Sequence, residues 1–457
     1  MTLHSSQLGA PARGRNIAVI GGGISGLAAA YLLGGRHRVT LFEAAPRLGG
    51  HARTVLAGRR GDQPVDTGFI VFNKANYPHL TALFADLGVP IRPSDMSFGT
   101  SIDGGRIEYG LRSLGALFAQ RRNLSRPAFL RMIGDIFRFN ARAEGVAQDD
   151  SATVGQMMAD LKLGTWFQNY YLTPLCGAIW STPPEQIRDF PARMLVQFFR
   201  NHALLGVTGQ HQWYTVDGGS IEYVRRLQAR LQAMGVALRP GCPVQAVRRR
   251  PDGVELRLRD RPPQRFDEVI LACHSDDALR LLDRPTAAER AALGAIGYQD
   301  NHVVLHRDPG LMPRRRAVWS SWVYRSDGAQ DRRRIGVSYW MNRLQGIPAE
   351  DPIFVTLNPG RAPRAGTVYD ETTFRHPVFD HAALLGQRRL DRLQGQNRTW
   401  FAGAYTRFGF HEDGFASAVA VAGAIDRAAG PGAPASAAAT PAGMAAGAGA
   451  DHRGAGR

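Results

Sequence analysis

Lysine and cysteine are both scarce in this chain of 457 residues. The only lysines are Lys74 and Lys162, although the chain carries 56 basic residues and a formal net charge of +17. The three cysteines, Cys176, Cys242 and Cys273, are too widely separated for a disulfide framework or a cysteine-rich metal site. Acidic and histidine pairs do not recur at helical ligand spacing, so we predict no metal. This composition is typical of a reducing compartment, and we expect a cytoplasmic protein.

The sequence also lacks a segment that reads as membrane-spanning or as a signal peptide. Residues 16–35 are uncharged, but four glycines within Gly21–Gly26 break this stretch into an apolar run, a turn and a helix. Residues 1–15 have no apolar core of signal-peptide length, so we expect a short flexible N-terminus. Alanine, glycine and proline dominate residues 430–457, which we interpret as a disordered tail.

The excess of arginine has two interpretations at this stage. Triplets of arginine occur at residues 248–250, 314–316 and 332–334. They lack the interleaved aromatic residues of a nucleic-acid surface, so we predict no nucleic-acid partner. The triplets form either a solvated basic face or a surface that attracts anions, namely an acidic substrate or a peripheral contact with anionic lipid at the inner face of the membrane.

A dinucleotide-binding pattern begins at residue 17. The apolar run 17–20 predicts a strand, a glycine-rich turn follows it, and residues 27–33 favour a helix. Residues 39–42 predict a second strand, which ends at Glu43. The glycines permit a tight turn and a close approach of the backbone to a pyrophosphate on the helix N-terminus, while the acid accepts from a ribose hydroxyl and disfavours the 2′-phosphate of NADP. The predicted cofactor-binding residues here are Gly21, Gly23, Ser25, Gly26 and Glu43.

A second glycine-rich loop follows the acid directly. It contains Arg47, Gly49, Gly50 and His51, where the diphosphate and ribityl chain of a long cofactor would continue. An arginine-glycine turn on the surface is the structural alternative. The stretch resembles the glutamate-arginine-double-glycine signature of the superfamily of amine oxidases and phytoene desaturases, which implies FAD rather than NAD.

Two later segments fit the same superfamily pattern. Residues 241–247 and 266–272 resemble strands that return to the cofactor domain, the first bringing the backbone of Val244 near the adenine. Residues 399–405 predict a buried strand that contains Gly403, and residues 409–418 open a helix of small residues. The N-terminus of that helix, with Asp413 and Gly414, would aim its positive end at the flavin.

Further segments resemble a bacterial group of predicted NAD/FAD-binding proteins within this superfamily. They are residues 65–73, 93–98, 311–316, 338–345 and 409–414. The resemblance extends from residue 16 to residue 429. It implies an α/β fold with a Rossmann-type, amine-oxidase-like FAD-binding domain and an inserted α+β substrate domain. The predicted ranges are 16–75, 211–280 and 395–429 for the FAD-binding domain, and 76–210 and 281–394 for the substrate domain.

The chain departs from typical amine oxidases at the expected reaction centre. The strand that typically carries a lysine near the flavin corresponds to residues 298–306, which contain none. Phe410 replaces a tyrosine of the usual aromatic cage, and the segment that holds covalent flavin in some relatives has no cysteine, which implies non-covalent FAD. The candidate catalytic residues are Phe410, Tyr405 and His306. His306 and Asp308 alternate like acid–base partners on one strand face, or they form a plain strand-end turn.

These observations give one leading hypothesis and two alternatives. The leading hypothesis is a FAD-dependent oxidoreductase that takes a hydride from an apolar, lipid-like small molecule, dehydrogenating an acyl chain. Members of the group often accompany cyclopropane-fatty-acid-synthase-like methyltransferases, which points to lipid metabolism and a methyltransferase partner. The alternatives are a flavin amine oxidase and a non-catalytic flavin-binding partner of such a methyltransferase.

Overall fold

The computed structural model describes residues 14–147, 149, 151–180, 187–202, 204–206, 209–259, 261–327 and 336–428. Most of the predicted flexible N-terminus and all of the predicted tail lie outside these ranges. Arg15 lies within these ranges, and both its backbone and its side chain have partners. Its carbonyl accepts from the Arg38 amide at 2.9 Å, and its guanidinium pairs with Glu268. The expectation of a flexible N-terminus therefore does not extend to Arg15, and residues 1–13 lie outside the described ranges.

The strands follow one another through the whole chain. They are β1 (Asn16–Ile20), β2 (Arg38–Phe42), β3 (Thr54–Ala57), β4 (Gln63–Asp66), β5 (Val71–Asn73), β6 (Ile91–Ser94), β7 (Phe98–Ile102), β8 (Ile107–Gly110), β9 (Trp213–Val216), β10 (Ala237–Arg239), β11 (Val244–Arg250), β12 (Gly253–Leu258), β13 (Arg261–Phe266), β14 (Glu268–Leu271), β15 (Gly297–His306), β16 (Trp322–Arg325), β17 (Gly336–Trp340), β18 (Phe354–Leu357), β19 (Val368–Val378) and β20 (Thr399–Phe401).

The α-helices are concentrated between the strands of the first sheet and in the middle of the chain. They are α1 (Ile24–Leu33), α2 (Pro78–Asp86), α3 (Leu114–Leu117), α4 (Pro127–Val146), α5 (Val154–Asp160), α6 (Thr165–Phe167), α7 (Thr173–Trp180), α8 (Ala192–Asn201), α9 (Ile221–Ala233), α10 (Ser275–Leu281), α11 (Ala287–Leu293), α12 (Met341–Leu344), α13 (His381–Asp391) and α14 (His411–Ala428). Within the described ranges, no helix combines the length and the apolar character needed to cross a membrane.

A five-stranded parallel sheet forms the first layer, in the order β10-β2-β1-β14-β20. Val19 pairs with Leu41 on one side and with Ile270 on the other. All three side chains are fully buried, because helices cover both faces of the sheet. Parallel strands end at the same edge, so the segments that follow β1, β2, β14 and β20 meet there.

The second layer is a mixed seven-stranded sheet in the order β19-β15-β18-β17-β16-β7-β8. Its longest ladder joins β15 and β19, which pair antiparallel from Gly297 with Val378 to His306 with Val368. The helical segment from α4 to α8 packs on this sheet, since Phe129, Phe139 and Leu305 belong to one buried core. The fold class predicted from the sequence, α/β with an inserted α+β part, is confirmed in this arrangement, while the assignment of that part to substrate binding stays a prediction.

The domain boundaries differ from those predicted. Helix α2, assigned to the substrate domain, buries Leu80 and Phe84 in the same core as Leu27 of α1. Helices α11 and α13, also assigned there, pack with Phe42 in the core on the other side of the parallel sheet. The physical reason is that a parallel sheet needs apolar helix faces on both sides, and these helices supply them from segments distant in sequence.

Candidate functional site

The glycine-rich turn after β1 is packed tightly at Gly21 and at Gly26. Gly21 has φ +113°, and a Cβ there would lie 2.6 Å from the Ala272 carbonyl oxygen. A Cβ on Gly26 would lie 1.8 Å from the Gly21 carbonyl oxygen, so both positions require glycine. Gly23 differs, because a Cβ there would meet no protein atom within 4 Å. Gly23 is also the N-cap of α1, which no side chain caps, so the helix presents free N–H groups and its positive end at this opening.

Glu43 is fixed at the carboxyl end of β2. Its carboxylate accepts from the Gly22 amide at 2.6 Å and from the Ala45 amide at 2.7 Å. The Cys242 amide donates to the Glu43 carbonyl at 2.8 Å, which brings the start of β11, at Val244, beside the acid. Glu43 and the segment that leads into β11 therefore lie at the same edge of the sheet, and the contacts of Glu43 with a ribose and of Val244 with an adenine stay predictions.

The second glycine loop lies directly on the first. The Gly49 amide donates to the Gly22 carbonyl at 2.8 Å, and a Cβ on Gly50 would lie 2.9 Å from the Gly23 Cα. The Arg47 guanidinium donates to the carbonyls of Ala52 at 3.2 Å and Gly50 at 2.9 Å. Arg47 is thus a positioning residue that braces this loop, and its contact with a diphosphate stays a prediction.

The turn before α14 closes the same opening from the other side. A Cβ on Gly414 would lie 2.8 Å from the Ser25 hydroxyl, so the N-termini of α14 and α1 lie side by side. The Gly403 amide donates to the Ser417 hydroxyl at 2.9 Å, and the Asp413 carboxylate accepts from the Phe410 amide at 2.9 Å. Burial raises the pKa of Asp413 to about 6. Two adjacent helix N-termini favour negative charge between them.

Four histidines, His51, His274, His376 and His411, cluster beside these loops. The His51 ring stacks on Phe374 at 4.7 Å between centroids, and it lies 5.6 Å from His376 and 5.8 Å from His274. Burial lowers the pKa of all four, to about 4 for His274 and His376 and to about 3 for His411. The imidazoles are therefore neutral near pH 7. His51 Nε2 is buried and has no hydrogen-bond partner in the part of the chain that the structure describes.

Sequence reasoning found His51 but missed His274, His376 and Phe374. His274 follows β14 at the carboxyl edge of the parallel sheet, where ligands of such sheets bind, and this position was a usable signal. Phe374 and His376 lie two residues apart on β19, so they share a face of that strand. Their approach to His51 depends on how β19 pairs with β15, which the sequence does not reveal.

Two of the predicted catalytic residues lie near the opening. The Phe410 ring stacks on Phe198 with centroids 5.1 Å apart, and it lies 5.8 Å from the His202 ring. Tyr405 is 2% exposed, and its hydroxyl is buried without a partner among the described residues. Burial raises the pKa of Tyr405 well above its usual range, so the phenol stays protonated.

The predicted acid–base pair of His306 and Asp308 is wrong. His306 lies about 26 Å along β15 from Tyr298, the residue of that strand whose ring stacks on His274. Its Nε2 lies 2.7 Å from the Thr356 hydroxyl, and its Nδ1 accepts from the Asp308 amide. The Asp308 carboxylate instead accepts from Arg361 at 3.2 Å and from Arg364 at 3.0 Å. The strand ends at His306, so the turn carries the carboxylate away from the imidazole.

The structure also contains one group of possible metal ligands. His274, Asp276 and Asp277 offer ligand atoms within 4.8 Å of one another in the described part of the chain. Arg375 forms ion pairs with both carboxylates, and Arg280 forms one with Asp277, so the acids already have cationic partners. The expectation of no metal stays a prediction.

The residues at this edge fit FAD on three observations. A Cβ on Gly23 would project into open space, the α1 N-terminus is uncapped, and His51 Nε2 is a buried polar atom without a partner among the described residues. Glu43 would hold the ribose, the first turn of α1 the pyrophosphate, and the N-terminus of α14 the flavin ring. The fold and this site define a FAD-dependent oxidoreductase with a second, mixed α+β domain.

Comparison with known proteins gives the family. The family model of flavin containing amine oxidoreductases matches residues 24–310. The chain belongs to this family. A coproporphyrinogen III oxidase of Mycobacterium bovis is 45% identical over 82 residues, a match that spans only 17% of this chain and 17% of that relative.

Two solved structures share the fold. Cyclohexylamine oxidase from Brevibacterium oxydans IH-35A has a TM-score of 0.67 and 16% identity, covering 91% of this chain and 99% of that one. A CLA-producing fatty acid isomerase from P. acnes has a TM-score of 0.65 and 14% identity, covering 92% and 99%. At these identities the likeness concerns the fold.

Proposed function

We propose that this oxidoreductase holds FAD non-covalently and dehydrogenates an apolar substrate, a lipid acyl chain. The observation that carries the proposal is a row of stacked rings at Phe410. Ring centroids are separated by 5.1 Å from Phe410 to Phe198, by 3.9 Å from Phe198 to His202, and by 5.9 Å from His202 to Trp213. Burial lowers the pKa of His202 to about 4, so the row is uncharged near pH 7. Such a wall suits an acyl chain better than an ammonium group.

The chemistry of acyl dehydrogenation needs a hydride acceptor and a base. Bound FAD supplies a ring that accepts a hydride from carbon. The neighbouring carbon loses a proton as the carbon–carbon double bond forms, and His51 Nε2, neutral and unpartnered in the described chain, is able to accept it. Phe410 and Phe198 orient the chain and exclude water. Oxygen or another electron carrier would have to reoxidise the flavin to complete the cycle.

Two further observations support non-covalent binding and separate this site from that of typical amine oxidases. Burial raises the pKa of Cys273, the cysteine next to the site, to about 12, so it remains an unreactive thiol. Neither lysine lies on β15, and the ammonium group of Lys74 is instead 4.9 Å from the centroid of the Tyr214 ring. Acid precipitation of the holoprotein should release the flavin into solution.

A flavin amine oxidase is the second candidate, since the family and the fold of cyclohexylamine oxidase both favour it. Anaerobic titration of the holoprotein with a lipid extract and with a panel of primary and secondary amines separates the two. Loss of the oxidised-flavin absorbance with lipid and not with amines supports the proposal. Reduction by amines alone makes the protein an amine oxidase. Reduction by neither, together with stable co-purification of a lipid methyltransferase, would favour the non-catalytic partner.

A second experiment identifies the lipid substrate from the acyl chains of cells. Comparing the acyl chains of cells with and without the gene should show one unsaturated species missing from the cells without it.

Phe410→Tyr tests the apolar character of the wall with the smallest change, because it introduces the hydroxyl of the usual aromatic cage. We expect this variant to keep FAD and to be reduced more slowly by the lipid.

A further inference from the structure

The exposed apolar side chains of this protein are not evenly distributed. Within the described ranges, eight large hydrophobic side chains are exposed, and five of them lie between residues 111 and 137. They are Leu111, Leu114, Leu124, Leu130 and Phe137, with exposures of 41%, 75%, 55%, 44% and 56%. A concentration of exposed apolar surface marks an interaction site more often than a scatter of single residues does.

Helix α4 shows why two of these side chains, Leu130 and Phe137, face solvent. Phe129, Met132 and Phe139 are fully buried on its inner side, where Phe129 meets the Phe118 ring at 6.1 Å. Leu130 and Phe137, seven residues apart, therefore share the opposite side. Gly134 lies between them on that side, and a Cβ there would meet no atom within 4 Å. The outer surface of α4 is thus open along its first half.

The charge of the same segment has one sign. Between Leu111 and Gly134 the sequence has five arginines and no acid. Asp135, the next acid, is 3% exposed and is used by Arg138 at 2.8 Å and by the Gly164 amide at 3.0 Å. We call this surface the basic apolar face, defined by the exposed leucines and Phe137 named above together with Arg112, Arg121, Arg122, Arg126 and Arg131.

The first of the arginine triplets noted in the sequence does not offer a comparable surface. Arg249 pairs with Glu289, and Arg248 pairs with Glu255 and Asp283, so the first triplet is neutralised locally. In the second triplet, Arg315 pairs with the buried Glu108. The 3-10 turn Arg316–Val318 lies against α3, so this triplet borders the basic apolar face. The third triplet lies outside the described residues.

We propose that the basic apolar face docks the protein onto the surface of an anionic lipid bilayer. Leucine and phenylalanine beside arginine is the composition of segments that insert shallowly into the head-group region. Arginines without acids nearby are complementary to anionic head groups and repel a second copy of the same face. The face lies outside the cofactor site, so docking does not depend on the proposed lipid substrate.

The position of the face also connects it to the reaction centre. Behind α4, Phe139 meets Phe199 at 5.8 Å, Phe199 meets Phe198 at 6.4 Å, and Phe198 meets Phe410 at 5.1 Å. A continuous apolar layer thus extends from the docked helix to the flavin site.

Vesicle flotation of the FAD-loaded full chain tests the proposal. The probes are phosphatidylcholine vesicles with and without phosphatidylglycerol, at low and at high salt. We expect binding that requires phosphatidylglycerol and weakens with salt. No binding to either vesicle, or equal binding to both, overturns the proposal.

Two sets of matched variants assign the binding to this face. The double variant Leu130→Ser with Phe137→Ser should weaken vesicle binding about tenfold or more. The control is Leu56→Ser with Leu385→Ser, two leucines outside this face that are 65% and 50% exposed, and it should bind vesicles like the parent. Arg112→Gln, Arg121→Gln and Arg131→Gln together should weaken vesicle binding about 100-fold. The control triple is Arg257→Gln, Arg259→Gln and Arg261→Gln, three exposed arginines at the end of β12, in the turn after it and at the start of β13.

Flavin content and thermal midpoint verify that each variant is folded. Binding that survives in both test variants and falls in a control would place docking elsewhere and overturn the proposal. The parent protein could instead form a dimer in solution and bind no vesicles. If the double variant Leu130→Ser with Phe137→Ser were then monomeric, the face would bind protein and not lipid.

Discussion

Glu412 lies in the first turn of α14 but caps a different helix. Its carboxylate accepts from the amides of His79 and Leu80, each at 3.0 Å, and lies 2.6 Å from His79 Nδ1. These amides belong to the first turn of α2, so one side chain joins α2 to the turn that carries Phe410. The cap thereby fixes the helix N-terminus that we expect to face the flavin.

The first prediction concerns this cap. Glu412→Ala should reduce the free energy of unfolding by about 1–2 kcal/mol, because the α2 amides lose their acceptor. It should also weaken FAD binding, since the start of α14 loses its anchor. Glu412→Gln is the intermediate variant and should retain part of the stability, because its single amide oxygen still accepts from one of the two N–H groups. Urea unfolding and a flavin-binding titration measure the two effects, and full retention of both by the alanine variant would contradict the assignment.

The second prediction concerns Gly23. Gly23→Ala should fold normally, because a Cβ there meets no protein atom within 4 Å. The methyl group would instead occupy the place expected for the pyrophosphate, so FAD should be lost. Circular dichroism and the flavin absorbance of the purified variant provide the measurement. A fully loaded Gly23→Ala protein would show that the pyrophosphate binds elsewhere.

The third prediction concerns Phe410. Phe410→Ala should leave FAD bound and slow flavin reduction by the substrate, because the row of rings loses the member nearest the expected reaction centre. Phe408→Ala is a neighbouring control on the same turn. Stopped-flow reduction rates under anaerobic conditions compare the variants. If the flavin of Phe410→Ala were reduced at the parent rate, Phe410 would not belong to the reaction centre.

The fourth prediction concerns acid stability and the corrected role of His306. Burial lowers the pKa of this fully buried imidazole from 6.5 to about 4. Between these pH values the unfolded chain binds a proton that the folded chain does not, so stability falls as pH falls from about 6.5 towards 4. The full difference corresponds to about 3 kcal/mol at pH 4.

Urea unfolding from pH 4 to pH 7 tests this expectation. His306→Gln should show a smaller loss of stability on acidification than the parent does. His302→Gln, on the same strand but about half exposed, should keep the parent slope. Flavin reduction by substrate should be unchanged in His306→Gln at pH 7. If the stability of His306→Gln fell on acidification as steeply as that of the parent, the burial argument would be contradicted. If His306→Gln lost most of the flavin reduction rate, His306 would have a role in catalysis.

The sequence predicted those parts of the site that are encoded locally. Gly21, Gly23, Gly26 and Glu43 occupy one strand–turn–helix–strand unit, so their spacing alone determines their geometry. His376 is different, because it approaches His51 only through the pairing of β15 with β19. Such long-range register depends on the packing of the whole sheet and has no local pattern.

The errors have the same origin. His306 and Asp308 have the spacing of residues on one face of a strand, but β15 ends at His306. The Asp308 carboxylate is instead hydrogen-bonded to Arg361 and Arg364. Helix α2 follows the first cofactor segment closely and reads as the start of the next domain. Its apolar face belongs to the core of the parallel sheet, which only the assembled layers reveal.

The order of strands in the parallel sheet has a consequence for biosynthesis. Neighbouring strands β1, β14 and β20 come from the beginning, the middle and the end of the described chain. Domains fold as their parts emerge from the ribosome, but this sheet cannot close until β20 and α14 have been translated. The nascent chain therefore exposes the apolar edge of β14 while residues 272–398 are translated, and we expect FAD to bind only after β20 and α14 have been made.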